Sequence, residues 1–303
     1  MIVYHKNNEI DREQWDNCIR NSGCLKPYPY SWFLDIMAPG WEALVDDDYD
    51  SVFPLPVSDR FGFRRIVTPA FLQQLGAYSP DKPVSSAIIE FLDFLPDFYR
   101  LIDLNIEQKV EFEGFRIAEK SSYFLDTSGS FEELSGKFSE SCRRNIEKAS
   151  RKNPLIVHDI TPDEIINMYI LNNTRRSAKV PALYYLRMRS LMNFCIKNKK
   201  GSITGVRDGH RKPLSAAFFV DIRGCRTLLF SASTAAGKER KLDYFLINEL
   251  IKNNNHNKSL IDFAGADAPD GNKFSDLFGA LRYPYYHLYC NRMIWPLSWF
   301  RLS

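Results

Sequence analysis

Between Lys137 and Lys152, in the stretch KFSESCRRNIEKASRK, six cations and two glutamates share sixteen residues. Such a density suits a solvated helix face, a grip on nucleic-acid phosphates, or an anion site for a small substrate. At about 100° per residue, Phe131, Leu134, Phe138, Cys142, Ile146 and Ala149 fall on one stripe. The spacing predicts one long amphipathic helix that packs by this stripe. Lys137, Arg144, Lys148 and Arg151 gather on another side, with Lys152 at its edge and Glu140 and Glu147 at ion-pair spacing. Solvation accounts for most of this charge. Two residues do not fit it. Asn145 projects into the apolar stripe, where its amide must find partners. Arg143 lies on the opposite flank from the basic cluster, where a guanidinium can reach an anion.

The other chemistry-bearing residue types offer less. Cys18, Cys24, Cys142, Cys195, Cys225 and Cys290 form no CxxC pair, and the five histidines show no HxxxH or HxH spacing. No metal site and no disulfide framework follow from this; buried free thiols do. Asp46, Asp47 and Asp48 sit where a turn between two strands is expected, so they read as a hairpin loop. With 40 cations against 37 anions the net charge is only +3, so any cationic function is local.

The chain has 303 residues, 45% of them apolar and 14% aromatic, enough for a sizeable core and a prior of about two domains. No apolar window approaches the roughly 18 residues of a membrane span, and the N-terminal stretch carries charges where a signal peptide needs its apolar run. A cytoplasmic protein with no membrane span is the expectation.

Helices and strands mix throughout. Residues 11–22 and 84–95 read as helices, and 41–48, 51–60, 63–70, 101–108 and 110–120 as strands. The grammar restarts near residue 121 with a strand leading through Thr127, Ser128 and Ser130 into the basic helix. A strand at 154–160 and helices at 162–176 and 182–198 follow. Three strands come next, at 201–208, 213–222 and 225–233, then a helix over 239–254, a strand at 259–265, a short helix near 273–279 and a last strand at 283–291. Two α+β domains, 1–120 and 121–303, are the organisation this predicts.

The stretch FEELSGKFSESCRRNIEKASRKN resembles the R-x-N-I-x-K-A helix of the Fem-like branch of the GNAT acyltransferase superfamily, matched by Arg143, Asn145, Ile146, Lys148 and Ala149. Cys142 stands where a Thr is common. Later, Asp262, Phe263, Ala264 and Gly265 resemble the family's D-F-G/A-G turn, and Phe274, Phe278 and Gly279 its F-x-x-x-F-G element. The resemblance is good over 121–290 and weaker over 1–120, which looks like a degenerate first repeat. It implies an α+β fold of two tandem GNAT-like domains, each a mixed, mostly antiparallel sheet flanked by helices.

That resemblance also implies chemistry. An acyl donor's pantetheine would lie in a splay between the strands at 227–233 and 259–263, with Phe230, Ser231, Ser233, Gly237, Lys238 and Arg240 as cofactor-binding residues. An amine would attack the acyl carbonyl, with Asp262 first and Asp267 second as proton acceptor, and Tyr184 or Tyr185 as proton donor. Arg143, Asn145, Lys273 and Phe274 would bind substrate. Of the family's R/Q-x-x-G-x-G/A pyrophosphate motif only Gly237 remains. Phe274 is followed by Ser275, where peptidyltransferases of the branch carry Lys. The reduced pyrophosphate motif counts against coenzyme A, whereas Ser275 and the absence of an inserted antiparallel helical arm favour acetyl-CoA or another acyl-CoA as donor and a small-molecule amine, such as an amino sugar, as acceptor. The alternatives are an aminoacyl-tRNA-dependent Fem-like peptidyltransferase and a GNAT-fold binding protein without catalysis.

Overall fold

A computed structural model of the chain describes residues 1–60, 62–82, 84–172, 180–253, 260–264 and 271–293. In order these form β1 (Ile2–His5), α1 (Arg12–Asn21), α2 (Ser31–Met37), β2 (Glu42–Asp46), β3 (Ser51–Leu55), β4 (Val57–Arg60), β5 (Phe63–Val67), α3 (Val84–Asp93), β6 (Tyr99–Ile106) and β7 (Arg116–Asp126). Then come α4 (Phe131–Gly136), α5 (Glu140–Ser150), β8 (Ile156–Val157), α6 (Pro162–Asn172), α7 (Ala182–Lys197), β9 (Gly201–Arg207), β10 (Pro213–Ile222) and β11 (Cys225–Ser233). The chain continues with α8 (Ala235–Glu239), α9 (Leu242–Lys252), β12 (Leu260–Asp262), α10 (Gly271–Leu277) and β13 (Leu281–Asn291). It divides into two compact units, Met1–Lys120 together with the strand residues from Pro284 onward, and Ser121–Tyr283.

In the first unit β1, β2 and β3 form an antiparallel sheet. The acidic run turns between β2 and β3, and Asp47, Asp48 and Tyr49 all take positive φ there. Asp46 ends β2 buried and is paired with Lys82. Separately, β5 runs parallel to β6, and β6 pairs antiparallel with β13. The core is aromatic: Trp15 and Trp41 meet edge to face at 4.7 Å, and the Trp15 indole donates to the Pro29 carbonyl at 2.8 Å.

In the second unit β9, β10 and β11 are antiparallel neighbours, β12 joins β11 in parallel, and β7 closes against β12 antiparallel. On one face Leu134, Phe138 and Cys142 pack with Ile247 and Ile251 of α9, Phe278, the strand residues Ala217, Phe219 and Ile261, and Phe263 just past β12. On the other face α6 and α7 lie over the sheet, Tyr169 meeting Phe230 with ring centroids 4.7 Å apart.

Four sequence expectations change. The strand expected at 51–60 is two, β3 and β4, which belong to different sheets and are separated at Pro56. The single basic helix is two helices. Lys137 caps α4, and Ser139, extended at φ −61° and ψ 157°, accepts from the Cys142 N–H to start α5. The apolar stripe runs through this break, so periodicity could not reveal it. The strand expected at 110–120 begins only at Arg116 and runs to Asp126, because Gly114 at φ +80° turns the chain just before it. Between α8 and α9, Lys241 takes a left-handed conformation and ends the continuity expected of residues 239–254.

Of the six thiols, five are buried and Cys24 is half-buried. Burial pushes Cys18, Cys142 and Cys195 up to about 12, so these pack as small hydrophobes. No described helix is long and apolar enough to cross a membrane.

Candidate functional site

The second unit contains a parallel strand pair that comes apart. β11 and β12 pair through Cys225 with Leu260, Arg226 with Ile261 and Thr227 with Asp262, and there the ladder stops. Past that rung the chain leaves β11: the Phe263 N–H donates to the Tyr123 carbonyl of β7 at 2.9 Å. β11 runs on to Ser233 held by β10, so among the described residues its other edge carries no strand partner after Thr227. The β10 register slips just beyond this vertex. Phe218 faces Phe230 and Phe219 faces Leu228, which leaves Leu229 as an extra residue in a β-bulge.

Asp262 lies at the vertex, 3% exposed, and both of its carboxylate oxygens are 3.2 Å from the Tyr283 hydroxyl, which donates to them. Tyr283 is steadied by a tilted ring contact with Phe124, the residue paired with Asp262 on β7. Thr227, the β11 partner of Asp262, is fully buried, and its hydroxyl has no hydrogen-bond partner among the described residues.

The proposed cofactor-binding residues follow along β11 and α8. Phe230 is buried against Tyr169, Ser231 is exposed, and the Ser233 hydroxyl is 2.7 Å from that of Ser215. Thr234 caps α8 by accepting from the Gly237 N–H at 3.0 Å and donates to the Leu214 carbonyl at 3.1 Å. A Cβ on Gly237 would stand 2.2 Å from that carbonyl oxygen, so glycine is what lets α8 sit against β10. Of the loop cations, Lys238 donates to the Asn172 carbonyl at 3.3 Å, and the Arg240 Nε is buried with no hydrogen-bond partner among the described residues. In the first turn of α9, burial pushes the Asp243 carboxyl above its usual range.

The other sequence candidates divide between the faces. Asn145 is half-buried and hydrogen-bonded to the Tyr244 side chain, and Tyr244 meets Phe274 edge to face at 4.9 Å. That cluster lies on the α5 and α9 side. Ile261 and Phe263 point to the same side, so alternation along the strand turns Asp262 to the opposite face. Arg143 is exposed and donates toward the Gly136 carbonyl at 3.5 Å. Tyr184 is half-buried beneath the Arg187 guanidinium, which is 5.2 Å from its ring centre, while Tyr185 is buried and contacts Tyr169. Asp267, Gly265 and the Lys273 side chain lie outside the described residues. Sequence placed Thr227 only at the start of the splayed strand, and it did not point to Tyr283 or to the bulge at Leu229. Their residue types are ordinary, and only the register brings them together.

The chain was compared with known proteins. No family model matches the sequence, and no curated protein is similar to it in sequence. Solved structures are similar in fold. FemX superposes with a TM-score of 0.64 at 10% identity, over 94% of this chain and 96% of that one. A tandem GNAT protein from the clavulanic acid biosynthesis pathway gives 0.52 at 10% identity, over 95% and 98%. The chain has the Fem-like tandem GNAT fold. A domain assigned as the C-terminal part of a lysylphosphatidylglycerol synthetase from Agrobacterium fabrum is also similar, at 0.58 and 9% identity over 95% and 93%. In this tandem GNAT fold the β11–β12 pair opens beyond the Thr227–Asp262 rung, and the buried oxygens of Asp262 and Thr227, with the half-buried Tyr283 hydroxyl, stand at its closed end.

Proposed function

We propose that the protein is an acyl-CoA-dependent N-acyltransferase that moves an acyl group to a small amine such as an amino sugar. The observation that carries this reading is the β11 edge left open beyond the Thr227–Asp262 rung. A pantetheine arm carries amides that can add to such an edge as another strand would. The bulge at Leu229 takes one backbone N–H out of the regular β10 register beside the vertex, a donor suited to an oxyanion. The amine nitrogen attacks the thioester carbonyl and the C–N bond forms. As the tetrahedral intermediate collapses, the C–S bond breaks and coenzyme A departs as its thiolate, which takes up a proton from solvent while Asp262 later returns its own. Asp262 accepts the proton that the nitrogen loses, while Tyr283 orients the carboxylate.

The aminoacyl-tRNA reading draws support from the FemX-like fold and from Lys238, Arg240 and Lys241 at the wide end of the splay. Calorimetric titration separates the two. Saturable acetyl-CoA binding supports the acyl-CoA reading, whereas no binding, together with salt-sensitive binding of aminoacyl-tRNA, would replace it.

A further inference from the structure

We infer that the Thr227 hydroxyl selects the acyl group, and that the preferred group is short and carries a hydrogen-bonding substituent, a hydroxyl or an amine, rather than a plain hydrocarbon. The inference rests on the acyl-CoA reading above.

One hydrogen bond is left unmade at the vertex. A buried hydroxyl without a partner is costly, and native interiors hold few of them. Thr227 is fully buried, and its Oγ1 is unpartnered among the described residues. Position makes this informative. Thr227 is the last β11 residue paired with β12, directly across from Asp262. Leu228 packs against the α5 and α9 core, so alternation turns Thr227 to the opposite face, the face Asp262 also takes. The Asp262 carboxylate accepts from Tyr283, and no hydrogen bond joins it to the Thr227 hydroxyl.

In a splay that opens toward Ser233 and the α8 loop, the nucleotide end of a donor lies at the wide end and the acyl group at the vertex. Two oxygen-bearing groups are buried at the vertex, a hydroxyl that can donate or accept and a carboxylate. An alkyl acyl group would leave both without a new partner. A substituent that hydrogen-bonds would complete the threonine, and an amino substituent would also meet the carboxylate.

The experiment compares propionyl-CoA, lactoyl-CoA and β-alanyl-CoA by calorimetry on the full chain, with Thr227→Val and Thr227→Ser beside the wild type. The expected result is that lactoyl-CoA, β-alanyl-CoA or both bind about tenfold more tightly than propionyl-CoA. Thr227→Val should bring that ratio to about one, and Thr227→Ser should keep it. Because Thr227→Val removes an unsatisfied group, its melting temperature should hold or rise. Equal affinities of the wild type for all three donors, a ratio that survives Thr227→Val, or a Thr227→Val chain that melts well below wild type would each overturn the inference and leave the acyl-CoA reading standing. Failure of all three donors to bind would overturn both.

Discussion

The Tyr283 hydroxyl stands equally close to the two carboxylate oxygens of Asp262, at 3.2 Å from each, where β12 ends and β11 runs on alone. One donor shared between two acceptors orients the carboxylate plane.

If Asp262 is the proton acceptor, Asp262→Asn lowers turnover by roughly 10²-fold or more with the fold intact. Tyr283→Phe loses only orientation and costs about tenfold or less. Steady-state kinetics with circular dichroism as a folding control would check both. An Asp262→Asn enzyme at wild-type rate would remove this residue from the chemistry.

A second prediction concerns acid stability. Arg207 donates to both oxygens of Glu164, at 2.8 and 3.0 Å, and holds that carboxyl down to about 2. The folded value lies below the ordinary one near 4.5, so the contribution to stability is full above pH 4.5 and fades as pH falls toward 2. Glu164→Gln should therefore flatten the decline in melting temperature between those values. A decline as steep in the variant as in the wild type would show that the pair is not coupled to folding.

Gly237 offers a test of the α8 junction. Alanine there would place its Cβ 2.2 Å from a backbone oxygen that has no freedom to rotate away. Gly237→Ala should destabilise by about 1–3 kcal/mol. Denaturant unfolding would measure it, and a loss below about 0.5 kcal/mol would mean that the junction shifts without strain.

Much of this architecture was legible in sequence where periodicity is strong. The last three central strands occupy 201–207, 213–222 and 225–233, and α7 fills 182–197, because hydrophobic spacing and Gly-containing turns agree there. The basic segment was read correctly in part. Arg144 pairs with Glu140 and Arg151 with Glu147 at one-turn spacing on exposed side chains, as a solvated face requires. Its break at Ser139 was hidden because Leu134, Phe138 and Cys142 keep helical spacing across two separate helices. The family resemblance named both splayed strands, 227–233 and 259–263, but not the rung at which they part. Thr227 and Asp262 are 35 positions apart, and no local pattern states their register. Asn145 and Asp262, both candidates from sequence, turn out to face opposite sides of the sheet, which motif order alone does not distinguish.

The central claim is that the open edge of β11 receives the acyl donor. Amide hydrogen exchange on the full chain, with and without acetyl-CoA, addresses it directly. The account predicts added protection confined to the backbone between Leu228 and Ser233 and the α8 loop that follows. Unchanged exchange there in the presence of saturating acetyl-CoA would contradict it.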